Sequence, residues 1–336
     1  MYELRINHKD KTPKFKQIVQ SIVDDIEKGV LKKDDQLPSI SELSEEYYLA
    51  RDTVERAYKE LKERAYITSV PGKGFYVAGS DAGKLKILLV FNKLSSYKKI
   101  IYYAFLNTLG DKAKVDLRIY HYNAVLFKEI IENNLGKYNY YVIMPHFFED
   151  TDKVDVMEVI RSIPPAELVL LDKDLPELQA EYLAVYQDFE KDIFNALESA
   201  TDLLGKYQKM TLVFPSEGNY PPEIVKGFRS FCRAHNKQFS LIESAYNEIL
   251  YPGTAYVVVE ENDLAELVKK VRQSSYLLGR EIGVTSFNDT TLKELLAITV
   301  ITTDFETMGR MAAALLLDQK RIKVKNAFWM IRRSSL

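Results

Sequence analysis

The hydrophobic pattern changes its period near residue 84 and divides the chain into two regions. Before that point, apolar residues recur at the three- and four-residue spacing of amphipathic helices. The two clearest apolar stripes are Phe15-Ile18-Val19-Ile22-Ile26 and Val54-Ala57-Tyr58-Leu61. Beyond it, short continuous apolar runs such as LKILLVF alternate with amphipathic segments. We therefore predict a small helical domain followed by a larger α/β domain.

The segment between the first stripe and residue 77 predicts a helix-turn-helix with a wing. Ser39 and Glu42 are spaced as a capping box that begins a further short helix before the second stripe. Two strands are predicted over residues 66–70 and 75–77, joined by the turn Pro71-Gly72-Lys73-Gly74. Polar residues cluster at the start of the helix that carries the second stripe, which is the helix that such a fold lays in the major groove of DNA. We predict a winged helix-turn-helix DNA-binding domain over residues 1–79, whose first helix ends at Gly29.

Residues 80–84 are small and polar, so we predict a short linker there. In residues 85–336 strands alternate with helices in two series, the second starting near Tyr186. This predicts a two-lobed domain made of doubly wound parallel sheets. A strand is predicted over residues 116–122 and one continuous helix over 189–204. Because ligands of such sheets bind beyond the carboxyl ends of the strands, the loops after the strands are expected to line a ligand cleft.

Composition and charge add mainly exclusions. The formal net charge of −2 gives no sign of nucleic-acid binding, so that reading depends on where the charges lie. A single cysteine, Cys232, excludes an intramolecular disulfide, and four scattered histidines have no metal-ligand spacing. No signal peptide, membrane span, phosphate-binding loop or catalytic motif is present. We predict a cytoplasmic protein that is not an enzyme and has no cofactor or metal.

The first region resembles the winged-helix domain of GntR-type transcription regulators over residues 13–77. The matching blocks are Glu27-Lys28-Gly29, Leu37-Pro38-Ser39, Glu42-Leu43, Arg51, Thr53-Val54, Arg56-Ala57, Leu61 and Gly72-x-Gly74. The resemblance and the polar face together give these candidate DNA-binding residues: Ser39, Ser41, Arg51, Asp52, Thr53, Arg56, Lys73 and Gly74. The chain departs from the family at Ser41 and Glu55, where arginine is common, and at Ala50, where a capping Ser or Thr is usual.

The second region resembles the effector domain of LacI/GalR-type repressors, which is similar to periplasmic sugar-binding proteins. The matching blocks are Asp188, Leu204-Gly205, Lys226-Gly227-Phe228, Gly283 to Asp289, Thr302 to Phe305 and Met308-Gly309 to Leu317. A GntR-type head on such a body is the arrangement of arabinose-repressor-type regulators. The resemblance therefore implies that residues 85–336 form an effector-binding and dimerisation domain. It also implies a monosaccharide effector of pentose or deoxyhexose type.

Sugar sites combine polar side chains that hold hydroxyl groups with aromatic rings that stack on the sugar. Loops after the predicted strands supply these candidate ligand residues: Asn92, Ser95, Ser96, His146, Asp172, Lys173, Glu217, Tyr220, Glu261, Asn288 and Asp289. For each of them a structural role in a loop or a helix cap is the alternative, especially for Asp289. The arginine that the family places shortly before Gly227 is absent here.

We therefore predict a homodimeric transcription regulator that binds a palindromic double-stranded operator. A repressor of carbohydrate-utilisation genes is the expected role, with the sugar changing the geometry of the dimer. Two alternatives stay open from the sequence. The second domain could serve only for dimerisation or bind a non-sugar metabolite, or it could be an enzyme that turns over a bound sugar.

Overall fold

The computed structural model describes residues 4–7, 10–27, 30–78, 84–148, 151, 153–216 and 219–336. The predicted helix end at Gly29, residues 80–83 of the predicted linker and the candidate ligand residue Glu217 lie outside these ranges. No helix in the described ranges combines the length and the apolar character needed to cross a membrane.

The N-terminal region is a winged helix-turn-helix, as predicted. Its elements are α1 Lys14–Glu27, β1 Gln36–Leu37, α2 Ile40–Glu46, α3 Arg51–Glu63, β2 Ile67–Val70 and β3 Gly74–Val77. The strands have the order β1-β3-β2, with β3 antiparallel to both neighbours. The turn between β2 and β3 holds Gly72 and Gly74 at φ +73° and +108°. Glycine adopts these conformations without a steric penalty, so the wing can turn tightly.

The two predicted apolar stripes meet in the core of this head. Ile18 and Ile22 of α1 and Val54 and Leu61 of α3 are fully buried in one cluster. Burying side chains of this size stabilises a fold by roughly 1.5–3 kcal/mol each. The core therefore fixes which face of α3 points inward, and it leaves the polar face of that helix outside.

Two local contacts set the geometry around α3. The predicted capping box at the start of α2 is present, since Ser39 Oγ accepts from the Glu42 amide at 3.1 Å and Glu42 Oε2 accepts from the Ser39 amide at 2.7 Å. Tyr58 of α3 donates its hydroxyl to the Pro38 carbonyl at 2.7 Å, and its ring meets Phe75 of the wing edge-on at 4.8 Å. One aromatic side chain thus ties the helix to both the start of α2 and the wing.

The body alternates strands and helices in the two predicted series. The first series contains β4 Leu85–Phe91, α4 Ser96–Leu109, β5 Ala113–Ile119, α5 Ala124–Glu132, β6 Tyr140–Ile143, α6 Lys153–Arg161, β7 Leu168–Asp172 and β8 Leu183–Tyr186. The second series contains α7 Phe189–Glu198, α8 Thr201–Leu204, β9 Lys209–Val213, α9 Glu223–Ala234, β10 Gln238–Ile242, β11 Thr254–Val258, α10 Glu261–Gln273, β12 Ile282–Phe287, α11 Thr291–Leu295 and β13 Thr299–Thr303. The last elements are α12 Phe305–Leu317, β14 Lys323–Lys325 and β15 Phe328–Ile331.

Within the described residues these strands form two six-stranded sheets. Their orders are β14-β8-β7-β6-β4-β5 and β10-β9-β11-β12-β13-β15. In the second sheet β9 to β13 pair in parallel, whereas β15 is antiparallel to β13. All residues of β11 and β12 are buried, as parallel strands covered on both faces require. The predicted α/β class with doubly wound sheets is confirmed, and the antiparallel β15 was not predicted.

Two predicted elements have different limits in the structure. The strand predicted over 116–122 is β5, which ends at Ile119 because the chain turns at His121 and Tyr122, whose φ angles are +50° and +62°. The helix predicted over 189–204 is divided into α7 and α8. At the break the Ser199 hydroxyl donates to the Ala196 carbonyl at 2.7 Å, a side-chain bond that competes with the helical ladder.

By compactness the chain divides into two units. One consists of Met1–Val90, Leu109–Arg118 and Glu129–Val142, and the other of Phe91–Thr108, Ile119–Lys128 and Ile143–Leu336. The predicted domain limits at residues 79 and 84 adjoin residues outside the described ranges and stay a prediction.

Candidate ligand cavity and nucleic-acid interface

The second unit contains a cavity of about 400 Å³ at the carboxyl ends of the strands. Its walls are formed by residues at the ends of β4, β5, β6 and β7 and by residues at the ends of β9, β11, β12 and β13. Open α/β sheets bind ligands at this edge. The volume is within the range of small-molecule sites, about 300–1,000 Å³.

Most of the predicted ligand residues meet in this cavity. Those that line it are Asn92, Ser95, His146, Asp172, Tyr220, Glu261 and Asn288. Ser96, Lys173 and Asp289 are not among the described residues of the lining. Glu217 lies outside the described residues, so its predicted role is untested.

Asp289 is held in an ion pair beside the cavity. The Arg333 guanidinium donates to its Oδ1 and Oδ2 at 2.8 Å each, and also to the Ile298 carbonyl at 2.9 Å. The bidentate hydrogen bond to Asp289 raises the pKa of Arg333. Thr290, not Asp289, caps α11, since its hydroxyl accepts from the Lys293 amide at 3.2 Å. The carboxylate therefore fixes the loop after β12 to the chain that follows β15.

Lys98 brings a charge into a wall that is otherwise apolar at this helix face. Its side chain lies on α4 with only 9% of the residue exposed, and Nζ donates to Asn92 Oδ1. Burial lowers the pKa of Lys98 to about 8, although the nearby Asp172 carboxylate acts in the opposite direction. A buried ammonium is unfavourable unless it has partners. The cavity thus contains a strong hydrogen-bond donor that the fold alone does not require.

His146 and Asp172 form a hydrogen-bonded pair at the ends of β6 and β7. His146 Nε2 lies 2.8 Å from Asp172 Oδ2. Burial lowers the pKa of His146 despite this contact. Burial by itself would raise the pKa of Asp172, but the hydrogen bond from His146 and the charges of Lys98 and Lys173 lower it on balance. We infer a neutral imidazole that donates to an ionised carboxylate, which presents acceptors to a ligand.

Glu261, which follows β11, contacts two other polar side chains of the cavity lining. Tyr97 donates its hydroxyl to Glu261 Oε1 at 3.0 Å, and Lys293 Nζ lies 3.5 Å from the same oxygen. Lys293 also donates to the carbonyls of Phe287 and Asn288 at 2.6 and 3.0 Å, and its burial lowers its pKa. The described residues contain no group of three His, Cys, Asp or Glu placed to hold a metal ion.

Aromatic rings complete the lining. Tyr97 stacks on Phe305 with ring centroids 5.3 Å apart, and Lys93 Nζ lies 5.8 Å from the centre of the Tyr122 ring. Burial raises the pKa of Tyr220 to about 12, so its phenol stays protonated and can donate. Aromatic faces with polar groups around them suit a ligand that has both apolar C–H faces and hydroxyl groups.

Two of the lining residues occupy left-handed backbone conformations. Asp172 has φ +70° and Asn288 has φ +62°. Asp and Asn tolerate this region better than other residues with a Cβ, because their short polar side chains can hydrogen-bond locally. Each residue marks a strand end, at β7 and just after β12, and reverses the local backbone there.

In the head, most of the candidate DNA-binding side chains are on the surface. Ser39, Ser41, Arg51, Asp52, Arg56 and Lys73 are exposed, whereas Thr53 and Gly74 are half-buried. Arg51 is the first residue of α3. The N-cap Ala50 makes no side-chain capping bond, and Asp52 is the acidic residue of the first turn. A carboxylate there favours the helix start through the helix dipole.

Arg56 and Lys73 differ in how firmly they are held. The guanidinium of Arg56 in α3 lies 3.8 Å from the centre of the Phe15 ring in α1. This cation–π contact holds the Arg56 side chain against α1. The Lys73 carbonyl accepts from Gln36 Nε2 at 2.9 Å and from the Tyr76 hydroxyl at 3.1 Å. The backbone of the wing tip is therefore fixed while the ammonium of Lys73 extends from it.

The sequence reading missed Tyr97, Lys98, Tyr122 and Lys293 as cavity residues. For Lys98 a signal was present, because it is in phase with the buried Ile101 and Phe105 on α4. A lysine in phase with the buried apolar residues of a helix indicates a charge that is buried and paired. Tyr122 carried no such signal, since its segment was predicted to be a strand.

Two sequence relationships bear on the head. The family described as "Bacterial regulatory proteins, gntR family" matches residues 14–77. The HTH-type transcriptional repressor YtrA of Bacillus subtilis is 32% identical over 96 residues, which are 29% of this chain and 71% of that protein.

Two further relationships extend into the body. The HTH-type transcriptional regulator TreR of Bacillus subtilis is 29% identical over 210 residues, covering 60% of this chain and 76% of that protein. The solved structure of the dimeric Lac repressor with a C-terminal deletion matches 75% of this chain and 98% of its own, with a TM-score of 0.60 and 17% identity. At that identity the match establishes a shared fold.

Proposed function

Because the chain belongs to the bacterial GntR family of regulatory proteins, we propose that it is an operator-binding repressor released by a monosaccharide of pentose or deoxyhexose type. The family and the LacI-like body are as the sequence predicted. The chain is a DNA-binding transcription regulator and not an enzyme. The name of one relative, the transcriptional repressor YtrA, supports the proposed sign of regulation.

The polar face of α3 supports operator reading. Arg51 stands at the start of that helix and is exposed. An arginine there can donate two hydrogen bonds to guanine O6 and N7, or contact a phosphate. Lys73 at the wing tip supplies a point charge for the backbone. Because few basic side chains are available, affinity should depend on two heads binding together.

The cavity carries the effector proposal, and its charges favour a neutral ligand. Among the described lining residues, three lysines are matched by three carboxylates; they are Lys93, Lys98 and Lys293, and Asp172, Glu260 and Glu261. Hydroxyl groups both donate and accept, so a sugar can use ammonium and carboxylate groups together. An anionic ligand would add a net negative charge to a lining whose lysine and carboxylate charges already cancel.

Calorimetry on the full chain tests the effector. Neutral pentoses and deoxyhexoses are titrated beside hexoses, sugar phosphates and nucleosides, and operator affinity is measured with and without each binder. We expect a neutral sugar to bind and to weaken operator binding by about 10- to 100-fold, which is about 1–3 kcal/mol of coupling. The Asn288→Ala variant should lose most of this binding. A response only to sugar phosphates, or to no compound, would refute the proposal.

A homodimer is the proposed assembly, and one exposed apolar loop supports a partner surface. Tyr246, Ile249 and Tyr251 are 72%, 66% and 59% exposed. Lys270 holds their loop, donating to the Ala245 and Glu248 carbonyls at 2.8 and 2.9 Å. A rigid loop that exposes three large apolar side chains is unfavourable in a monomer. Sedimentation should show a dimer at micromolar concentration, and a monomer would contradict the assembly.

A body that only dimerises, or binds a non-sugar metabolite, is the competing function. It keeps the DNA-binding head and the dimer but predicts no sugar-dependent change in operator affinity. The buried Lys98 argues against pure dimerisation, because burying a charge is unfavourable and a domain that binds no ligand would gain nothing from it. The panel described above distinguishes the two, since it includes nucleosides and phosphates.

A further inference from the structure

We propose that Asn139 is a positioning residue for operator recognition, which fixes the recognition helix α3 to the first strand of the body. Glu63, Lys86 and Asn139 all belong to the first compact unit. Asn139 lies in the loop before β6, Lys86 in β4, and Glu63 is the last residue of α3. One side-chain amide contacts both of the other residues.

The Asn139 amide is bonded on both of its sides. Oδ1 accepts from the Lys86 amide at 2.7 Å, and Nδ2 donates to the Glu63 carbonyl at 3.1 Å. The Asn139 backbone amide also donates to the Lys86 carbonyl at 2.8 Å. Because one partner is a donor and the other an acceptor, the carboxamide satisfies both only in this orientation. Lys86 is thereby held at its N–H and at its C=O by the same residue.

The Glu63 carbonyl is the terminal helix group that accepts a bond from outside the helix and its following turn. The last four carbonyls of an α-helix have no partner within the helix. Here the Glu60, Leu61 and Lys62 carbonyls accept from the amides of Arg64, Tyr66 and Ala65. The Glu63 carbonyl accepts from Asn139. The body therefore completes the end of the helix whose start carries Arg51.

This arrangement gives the head a defined orientation on β4. The same strand leads directly along the chain to Asn92 and Lys93 of the cavity lining. In a dimer, two heads held in this way would match one half-site spacing and reject others. That consequence rests on the proposed dimer, whereas the bonds of Asn139 do not.

Asn139→Asp isolates the bond to the helix. The aspartate keeps an acceptor for the Lys86 amide but has no donor for Glu63, and its charge repels the negative end of α3. Asn139→Ala removes both side-chain bonds. Asn133→Asp places the same charge on an exposed residue of the same loop and is the control.

The readout is operator spacing. Full-length variants are titrated with a selected operator and with versions whose half-sites are moved by one base pair in either direction. Wild-type protein and Asn133→Asp should prefer the original spacing. Asn139→Asp and Asn139→Ala should reduce that preference by about 2- to 10-fold, the range expected for one hydrogen bond. A head that is merely destabilised would lose affinity for all spacings equally.

Two results would overturn the inference. One is an unchanged spacing preference in both Asn139 variants, and the other is a wild-type protein that shows no preference. Effector binding is measured separately by calorimetry and should be the same in the Asn139 variants and the wild type. A failure to find any effector would count against the proposed function and leave the spacing result unaffected.

Discussion

Replacing Lys98 with methionine should stabilise the protein at neutral pH and abolish its response to effector. Methionine is unbranched, has a similar length and carries no charge, so it fills the wall of the cavity without a desolvation penalty. The effector loses its ammonium donor, so binding should disappear in calorimetry. Stability and function are therefore expected to change in opposite directions.

The size of the effect follows from the pKa of Lys98. The pKa falls from its ordinary value of 10.5 to about 8. At about 1.4 kcal/mol per pKa unit, this difference corresponds to a burial penalty of about 3 kcal/mol. The variant also leaves Asn92 Oδ1 without its donor, which costs about 1–3 kcal/mol. The net gain in the free energy of unfolding at pH 7 is then about 1 kcal/mol.

The sign of the pH dependence is fixed by the depressed pKa. Below about pH 8 the lysine is charged in both the folded and the unfolded state, so the wild type carries the full penalty. Between about pH 8 and 10.5 the folded protein loses the proton first, and wild-type stability rises relative to the variant. The free energy of unfolding of Lys98→Met relative to the wild type should fall by about 2 kcal/mol from pH 7 to pH 10, so that the wild type becomes the more stable protein.

Urea unfolding measures this difference through Trp329, the single tryptophan of the chain, which lies in the body. Unfolding free energies are extrapolated linearly at each pH for both proteins. Lys99→Met, on the exposed face of the same helix, is the matched control and should change stability by less than about 0.5 kcal/mol. A difference in stability between wild type and Lys98→Met that stays constant from pH 7 to pH 10 would contradict the burial penalty assigned to Lys98.

Three further predictions concern the head and the core. Arg51→Ala should weaken operator binding by about 1–3 kcal/mol without changing effector affinity, and a gel-shift titration with unchanged affinity would remove Arg51 from the reading face. Ser39→Ala removes the capping bond to Glu42 and should destabilise the head by about 1 kcal/mol, measured by hydrogen exchange in α2; unchanged exchange would show that the cap contributes nothing. Gly227→Ala places a Cβ 2.3 Å from the Glu190 carbonyl and should destabilise the body by about 1–3 kcal/mol in urea, outweighing about 1 kcal/mol of gained helix propensity; a stabilised variant would contradict the close packing of α7 and α9.

The head was predictable because its information is local. Each of its signals is formed by residues that are close together in sequence. These signals are the apolar stripe of α1, the apolar stripe of α3, the capping box at Ser39 and the glycine turn of the wing. The two predicted strands of the wing differ from β2 and β3 by one residue each, and the short strand β1 was not predicted. What the pattern did not contain was the contact of Arg56 with Phe15, because that contact joins two helices that are distant in sequence.

The cavity was predictable in its position and only partly in its members. Asn92, Asp172 and Asn288 follow recognisable buried strands, so the rule that ligands bind at strand ends was enough to find them. Lys173 and Asp289 satisfy the same rule by sequence, yet the lining excludes them. Each of them directly follows a lining residue in a left-handed conformation, Asp172 or Asn288, at which the backbone turns.

The amino-acid sequence was sufficient to predict the winged head, the α/β body and the edge of the sheets where the cavity lies. These follow from periodicity and turn chemistry, which act over neighbouring residues. Only the folded structure showed that Arg333 pairs with Asp289 beside the cavity and that Asn139 bonds the end of α3. Each of these contacts depends on where the folded chain places residues that are separated in sequence, and no local pattern encodes that distance.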